Sequence, residues 1–301
     1  MARAVADVSV VIPTIGRPHL LRDALQSLSR CEPRPAEVVV VDQSEGMVSA
    51  PVLDEVGLGV ARVVACQPPG IARATNYGLA NAAHPIVLRV DDDCTVRADW
   101  VAVASRAMEE DPDAMISGRV LPAGDPRLVP STILLETPRD YTGDVDNAAL
   151  YSGNMGCPRD AVLNMGGFDE RIVPAASDGE FCYRWLRAGR RLRHVPELVV
   201  WHRAWRTPEE LERQHIEYYQ GLGMFYAKHL AARDMTMLRF LLRDCYQGLR
   251  SLYAARVRGV ERWTDERRGA FKGLSRGLCD GWRQFGPWRR QDPSKGGVDL
   301  R

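Results

Sequence analysis

The sequence predicts a layered α/β fold with a mostly parallel sheet, followed by a helical C-terminal region. Short β-branched runs alternate with stretches of helical period through about residue 90. From Thr207-Pro208-Glu209-Glu210, a helix start with a cap and early acids, the apolar spacing is helical to about residue 288. A chain of 301 residues is long enough for one large domain or two fused ones.

The order of the elements can be followed from the N-terminus. VSVVI (8–12) and EVVVV (37–41) are predicted buried parallel strands, because both are continuous apolar runs followed by turn or polar residues. Residues 18–30 between them have helical spacing. The later predicted elements are a strand at 61–65, a helix at 72–81, a strand at 86–90, a loop over 118–147, a helix at 181–188 and a strand at 198–201.

The composition is that of an ordinary globular protein. A charged fraction of 26% and a net charge of +1 exclude disorder and a whole-protein affinity for nucleic acid. Neither a long apolar run nor a signal-peptide cleavage pattern occurs, so we expect a cytoplasmic location. Seven cysteines scattered without CxxC pairs predict reduced packing residues.

Three consecutive aspartates, Asp91, Asp92 and Asp93, directly follow the predicted strand VLRV. Adjacent carboxylates repel, so clustering them at a buried strand end is costly unless a cation or hydrogen bonds compensate. Mg²⁺ and Mn²⁺ prefer carboxylate oxygens and are commonly completed by substrate phosphates. The alternative is a solvated acidic turn that caps the next helix.

Other polar residues follow predicted strands at the same edge, where open α/β folds bind ligands. Thr14 follows the first strand, Asp42 the second, and His202 ends a later one. Imidazole suits Mn²⁺, although a lone histidine is more often structural. Arg73 could pair with a diphosphate or remain a solvated side chain. Neither GxGxxG after the first strand nor GxxxxGK[ST] occurs, which removes the main support for dinucleotide and P-loop sites.

Six segments, in this order and spacing, resemble the successive motifs of family 2 glycosyltransferases with the GT-A fold. They are VSVVIPTIGRPHLLRDALQSL, VVVVDQS, GIARATNYGL, VLRVDDDC, GNMGCPRDAVLNMGGFDE and SDGEFCYRWLRAGRRLRHVPELVVWHR. The resemblance covers about residues 8–205 and implies a three-layer nucleotide-binding fold. It also implies an enzyme that uses a nucleoside-diphosphate sugar, usually with inversion, and Mn²⁺ or Mg²⁺.

The resemblance also implies roles for individual residues. Asp42 would accept a hydrogen bond from the nucleobase in a pocket lined by Pro13 and Thr14. Asp91 would face the ribose and Asp93 the metal, with Asp92 able to share either role; the implied metal ligands are Asp91, Asp93 and His202. The nucleotide-sugar contacts would also include Arg73, Asn76 and Asn154. Asp178 corresponds to the family's usual catalytic base.

The sequence departs from the family pattern at two positions. The common Glu-Asp pair reads Ser177-Asp178, which leaves Glu180 as a competing candidate for the base. The frequent Arg-Asn of the third segment reads Thr75-Asn76, for which Arg73 would compensate. The resemblance predicts a nucleotide-sugar-binding half at 1–115 and an acceptor-binding and catalytic half at 116–205.

Two rival functions stay open at this point. DDDCT also matches the DxDxT loop of haloacid-dehalogenase-like phosphohydrolases, with Asp91 as the nucleophile. That class normally places the loop near the N-terminus and needs a downstream lysine, whereas every lysine here lies in the C-terminal region. The other rival is a non-catalytic nucleotide-sugar-binding relative, which only Ser177 favours.

The predicted basic helical region, 206–301, has an amphipathic character. Residues 201–301 carry a net charge of +8, against −7 for the rest of the chain. One apolar stripe comprises Leu238, Leu241, Leu242, Cys245, Leu249 and Leu252, and Arg239, Arg243 and Arg250 form a second stripe beside it. This pattern fits peripheral contact with the anionic inner face of the plasma membrane, near a glycan or lipid-linked acceptor. The alternative is a helix packed on the catalytic domain.

Overall fold

Four short β-branched runs form the parallel half of one mixed sheet. The protein is described from a computed structural model that covers residues 4–143, 150–257 and 261–287. The parallel strands are β1 (Val5–Thr14), β2 (Arg34–Asp42), β3 (Ala61–Ala65) and β4 (Ile86–Val90). β2 lies between β3 and β1, and β1 lies between β2 and β4. The centres of β1, β2 and β4 are buried because both faces of this sheet are covered.

The other half of the sheet is mostly antiparallel. It contains β5 (Cys94–Val96), β6 (Met115–Ala123), β7 (Arg139–Tyr141), β8 (Asn154–Pro158) and β9 (Leu192–Arg203). β8 pairs antiparallel with β4 and β6, so it joins the two halves. β9 runs parallel to β6 and antiparallel to β5 and β7.

The predicted loop over 118–147 is wrong in part, because β6 extends to Ala123 and β7 occupies Arg139–Tyr141. Residues 144–147 of that loop lie outside the described residues. In this stretch glycine and proline interrupt the alternation of apolar and polar residues that indicates a strand. Pairing with β9 gives β6 and β7 their extended backbone conformation. The short strand β5 was not predicted either, and it brings Cys94 opposite His202.

Helices pack on both faces of the sheet. They are α1 (Pro18–Ser29), α2 (Ala50–Val56), α3 (Ile71–Asn81), α4 (Trp100–Glu110), α5 (Arg159–Asn164) and α6 (Ser177–Arg187). Val10 and Ile12 of β1 share a core with α1 and α4, whereas Val11 shares a core with α3 and α6. The strand period of two therefore divides β1 between two hydrophobic layers.

The C-terminal region is helical, as predicted. It contains α7 (Pro208–Ala231), α8 (Met235–Val257) and α9 (Glu261–Phe285). The chain divides into one compact unit of residues 1–170 with 177–211 and a second of residues 171–176 with 212–301. Within the described ranges, no helix combines the length and the hydropathy needed to cross a membrane. The division of the α/β part at residue 115 stays a prediction.

Gly78 lets α3 approach the sheet closely. A Cβ at this position would lie 2.3 Å from Val11 Cγ1 and 3.0 Å from Val41 Cγ2. We expect Gly78→Ala to lower the free energy of unfolding by about 1–3 kcal/mol, because it overpacks this layer. Urea unfolding checks this. Gly59→Ala is the control, since no atom lies within 4 Å of the position that its methyl group would take; equal stability of the two variants would contradict the prediction.

Candidate functional site

The carboxyl ends of β1, β2 and β4 meet at one edge of the sheet. Thr14 and Asp42 are partners in the register of β1 and β2, and the three aspartates directly follow β4. Thr14 Oγ1 donates a hydrogen bond of 2.6 Å to Asp92 Oδ2. The expected proximity of Thr14 to the acidic triplet is therefore confirmed, and the alternative of a solvated turn is wrong, because Asp92 and Asp93 are buried.

Asp92, the central aspartate, pairs with Arg17. Arg17 Nε donates to Asp92 Oδ2 at 3.0 Å, and Arg17 Nη2 lies 2.8 Å from Asp92 Oδ1. Burial raises the pKa of Asp92 to about 7, although Arg17 and the Thr14 hydroxyl both favour its ionised form. The sequence reading missed Arg17, which lies three residues after the end of β1.

Asp93 is the most densely contacted carboxylate of the triplet. Its Oδ2 accepts a hydrogen bond of 2.8 Å from Trp205 Nε1 and lies 3.5 Å from both His202 Nε2 and Arg206 Nη1. Burial opposes ionisation of Asp93, but the hydrogen bonds from His202 and Trp205 and the nearby positive charges outweigh it. They hold the pKa of Asp93 well below its usual value.

His202 is the cationic partner of Asp93. Burial lowers the pKa of this imidazole, but its hydrogen bond with Asp93 and the charge of that carboxylate outweigh burial, so the pKa is raised. Its other nitrogen, Nδ1, lies 3.1 Å from the Ser131 carbonyl oxygen and donates a hydrogen bond to it. That contact fixes the ring orientation and directs Nε2 at Asp93.

Asp91 is held by a buried arginine and a tyrosine. Arg89 Nη2 donates to Asp91 Oδ1 at 2.8 Å, and the Tyr151 hydroxyl donates to Asp91 Oδ2 at 2.9 Å. The same hydroxyl lies 3.5 Å from His202 Nδ1, so Tyr151 connects Asp91 with the histidine. A Cβ at Gly153 would lie 2.3 Å from Asp91 Oδ2, so a side chain at this position would displace the carboxylate.

The donor set suits a hard divalent cation. Asp93, Cys94 and His202 have ligand atoms within 4.8 Å of one another. Burial raises the pKa of the Cys94 thiol well above its usual value, so Cys94 remains protonated and is a poor ligand. The Asp93 carboxylate and the His202 imidazole remain as candidate ligands. The Tyr151 hydroxyl connects them with Asp91. Oxygen and imidazole ligands suit Mn²⁺.

Asp178 lies in the first turn of α6, beside the acidic edge. Its Oδ1 accepts a hydrogen bond of 2.9 Å from the Gly179 backbone N–H. Burial raises the pKa of Asp178, and the charges of both Arg89 and Asp91 act on it, Arg89 to lower that pKa and Asp91 to raise it further. The structure thus brings Asp178 near Asp91, although they are far apart in sequence.

Glu180, the competing candidate, is engaged in a different contact. It is fully buried, and both of its oxygens accept from Arg184 Nε, at 2.8 and 3.0 Å. Arg184 also donates to the carbonyl oxygens of Met165 and Gly167. Glu180 therefore helps to fix α6 to the turn before it.

Asp42 and Asn154 are both fully buried. The Asp42 oxygens accept from the backbone N–H groups of Ser44 and Ser49, at 2.8 and 2.9 Å, and fix the loop after β2. Asn154 donates to the Arg119 and Leu198 carbonyl oxygens and accepts from Trp100 Nε1. All of its hydrogen-bonding groups are thus used within the core. The expected contact of Asn154 with the nucleotide sugar stays a prediction.

Arg73 and Asn76 form a separate cluster with Glu170. Arg73 Nε donates to Glu170 Oε2 at 2.8 Å, and Asn76 Nδ2 donates to Glu170 Oε1 at 3.1 Å. Asn76 also exchanges two hydrogen bonds with the backbone of Phe168. These contacts join α3 to the turn after α5, and no contact between this cluster and the triplet occurs among the described side chains.

The residues that the sequence reading missed are chiefly the partners of the aspartates: Arg17, Arg89, Tyr151, Trp205 and Arg206. Arg89 offered the clearest signal, because it is a single charge within the apolar strand IVLRV and is almost completely buried. Trp205 and Arg206 follow the WHR segment after one alanine, and Arg206 stacks on the Trp205 ring at 4.2 Å. Contacts between these residues and the aspartates depend on which strand ends lie together in the fold. The sequence pattern alone does not predict this.

Comparison with known proteins identifies the same family in the family model and in the curated relatives. The family model described as Glycosyl transferase family 2 matches residues 9–170. A pre-mycofactocin glycosyltransferase of Mycobacterium tuberculosis is 29% identical over 213 residues, which cover 65% of this chain and 42% of the relative. A glucosyl-dolichyl phosphate glucuronosyltransferase of Haloferax volcanii is 27% identical over 176 residues, 54% of this chain and 56% of the relative. The chain thus spans about half the length of these curated relatives.

Two solved structures share the fold over nearly the whole chain. The mannosyltransferase PcManGT from Pyrobaculum calidifontis, in complex with GDP-Man and Mn²⁺, has a TM-score of 0.64 at 19% identity, with 93% of this chain and 91% of that chain covered. S. aureus TarS 1-349, in complex with UDP-GlcNAc, has a TM-score of 0.62 at 15% identity, with 94% and 93% covered. The predicted GT-A fold with a C-terminal helical region is confirmed.

We expect Arg17→Met to lower the free energy of unfolding by about 3 kcal/mol at mildly alkaline pH, because it leaves the buried Asp92 carboxylate without its cation. Asp92→Asn in the same chain should restore most of this loss, and urea unfolding of both variants measures the coupling. Arg22→Met is the control, since it breaks a solvent-exposed pair with Glu55. An Arg17→Met effect no larger than that of the control would contradict the prediction.

Proposed function

Because the chain belongs to glycosyl transferase family 2, we propose that it transfers a sugar from a nucleoside-diphosphate sugar to an acceptor hydroxyl, with inversion and with a divalent cation. The observation that carries the proposal is the buried pair of Asp93 and His202 at the sheet edge, next to Asp91 and Asp178. The structural neighbours support it, since one is a complex with GDP-Man and Mn²⁺ and another a complex with UDP-GlcNAc.

Asp93 and His202, with Asp91 beside them, are the residues that would hold Mn²⁺ or Mg²⁺. The Asp93 Oδ2 to His202 Nε2 separation of 3.5 Å is close to the roughly 3 Å expected for adjacent ligands of one octahedral ion. When bound, the cation would supply positive charge to the diphosphate as that group leaves. Trp205 holds the Asp93 carboxylate in place through its indole N–H.

Arginine charges surround the same edge. Arg17 stacks on the Trp205 ring at 5.1 Å, and Arg206 stacks on it at 4.2 Å. Both guanidinium groups are thus held beside Asp93, and each retains donors for a phosphate oxygen. We assign them to orienting the diphosphate, a role for which the sequence alone offered Arg73. The loop that Asp42 fixes, with Pro13 and Thr14 beside it, would hold the nucleobase.

Asp178 is the proposed general base. It would take the proton from the acceptor hydroxyl as that oxygen forms its bond to the anomeric carbon. The bond from this carbon to the phosphate oxygen breaks in the same step, and the electron pair leaves with the diphosphate. Attack on the face opposite the leaving group inverts the configuration. The raised pKa of Asp178 strengthens it as a base.

The proposed acceptor is a glycan or a lipid-linked hydroxyl of the cell envelope. The family match favours this reaction over phosphoryl hydrolysis at Asp91, whose oxygens accept from Arg89 and Tyr151. A non-catalytic nucleotide-sugar-binding protein is the second candidate, favoured by the serine at position 177 in place of the family's glutamate. Donor hydrolysis assayed with Mn²⁺ separates the enzyme from the binder.

A thermal-shift screen of nucleoside-diphosphate sugars, with and without Mn²⁺, tests the proposal. One donor class should raise the Tm, and more so with the ion, because stabilisation follows ligand occupancy. Asp93→Ala should abolish the part of the shift that depends on Mn²⁺. No shift with any donor, or a Mn²⁺-dependent shift that persists in Asp93→Ala, would overturn the proposed site.

Asp178→Asn should retain donor binding and lose transfer by about 10²–10⁴-fold, the usual contribution of a general base. Burial raises the pKa of Asp178 in the folded protein, so the stability that its neutral form provides is lost as pH rises through that pKa. Asparagine carries no charge at any pH. The variant should therefore keep or exceed the wild-type Tm at neutral pH while its activity falls.

Glu180→Gln is the matched comparison for Asp178→Asn. It removes the carboxylate that faces Arg184, so we expect a lower Tm with donor turnover largely retained in the folded fraction. Transfer assays and thermal melting of both variants provide the check. If Glu180→Gln loses turnover and Asp178→Asn keeps it, the roles of the two carboxyl groups are reversed.

A further inference from the structure

Helix α8 carries a continuous exposed apolar face. Its members recur every three or four residues along the helix: Met235, Leu238, Leu242, Tyr246, Leu249, Tyr253 and Val257. Leu242, Tyr246 and Tyr253 are 60%, 66% and 71% exposed. The opposite side of the helix is buried at Met237 and Phe240. A helix of this length is about 35 Å long. Its apolar face is therefore a continuous patch, and single surface leucines do not account for it.

The charges on this face all have one sign. Arg239, Arg250 and Arg256 are exposed, and among the described residues none of them pairs with a carboxylate. Asp244, the one acid of α8, lies on the other side of the helix. It is half-buried and accepts hydrogen bonds from Tyr226 and Arg243. The exposed face of α8 is therefore apolar, aromatic and cationic.

This face differs from the stripe that the sequence predicted. Leu238, Leu242 and Leu249 of that stripe are exposed, whereas its other members, Leu241, Cys245 and Leu252, are only half-exposed. The tyrosines and terminal apolar residues complete the exposed face in their place. Three of the six members of the predicted stripe are therefore exposed in the described part of α8.

We propose that the exposed face of α8 binds an anionic lipid surface, with the helix axis in the plane of the membrane. Leucine and tyrosine side chains would enter the boundary between headgroups and acyl chains, and the arginines would bind the anionic headgroups. A second copy of the chain fits less well. A two-fold contact through the same face would place arginines against arginines and offer no exposed acid from α8. The proposal does not depend on the proposed reaction.

Flotation of the full chain with vesicles tests the proposal. With about 30% phosphatidylglycerol in phosphatidylcholine the protein should float, and it should bind at least tenfold more weakly to phosphatidylcholine alone. Raised salt should weaken binding to the anionic vesicles. Arg239→Gln/Arg250→Gln/Arg256→Gln should reduce partitioning about 100-fold, and Leu242→Ser/Leu249→Ser should reduce it at least tenfold.

The matched control neutralises three exposed arginines elsewhere. Arg30→Gln/Arg106→Gln/Arg127→Gln changes the net charge equally and should leave partitioning within about threefold of the wild type. The substituted α8 side chains are exposed, so all variants should melt near the wild-type Tm. Absence of the protein from floated anionic vesicles would overturn the proposal. So would an equal loss in the control, or a dimer that Leu242→Ser/Leu249→Ser dissociates while vesicle binding is unchanged.

Discussion

Three adjacent carboxylates at the end of β4 impose the main electrostatic constraint on this protein. Each aspartate has a different cationic partner: Arg89 for Asp91, Arg17 for Asp92 and His202 for Asp93. These partners come from β4, from the segment after β1 and from β9. Asp92 and Asp93 can remain buried beside Asp91 only when those three parts of the sheet are correctly assembled.

Such a network is an inefficient way to stabilise a fold. Removing charged groups from water is expensive, and well-packed apolar residues of similar size are often as stabilising. The sheet already has two extensive hydrophobic layers that do not include the triplet's side chains. The acidic cluster is therefore consistent with the proposed divalent cation, which needs concentrated negative charge.

From the sequence one could predict which strand ends carry the polar residues, but not most of the contacts that these residues make. The strands and the acidic run could be recognised because continuous apolar runs and helical periods are patterns of neighbouring residues in the sequence. Arg17, Tyr151 and Trp205 were missed, because their roles arise from strand ends that meet only in the folded protein. The three hydrogen bonds that hold the Asn154 side chain in the core were missed for the same reason. Strand β6 was not predicted for a similar reason. Its alternation of apolar and polar residues is weak, and its pairing with β9 forms only in the folded protein.

The most direct measurement is the anomalous diffraction of crystals grown with Mn²⁺ and a nucleoside diphosphate. A manganese peak within about 2.2 Å of an Asp93 carboxylate oxygen and of His202 Nε2, in contact with the diphosphate, is the predicted result. A bound nucleotide with manganese elsewhere, and with Asp93 still paired only to His202 and Trp205, would contradict the central claim that the acidic triplet is a cation site.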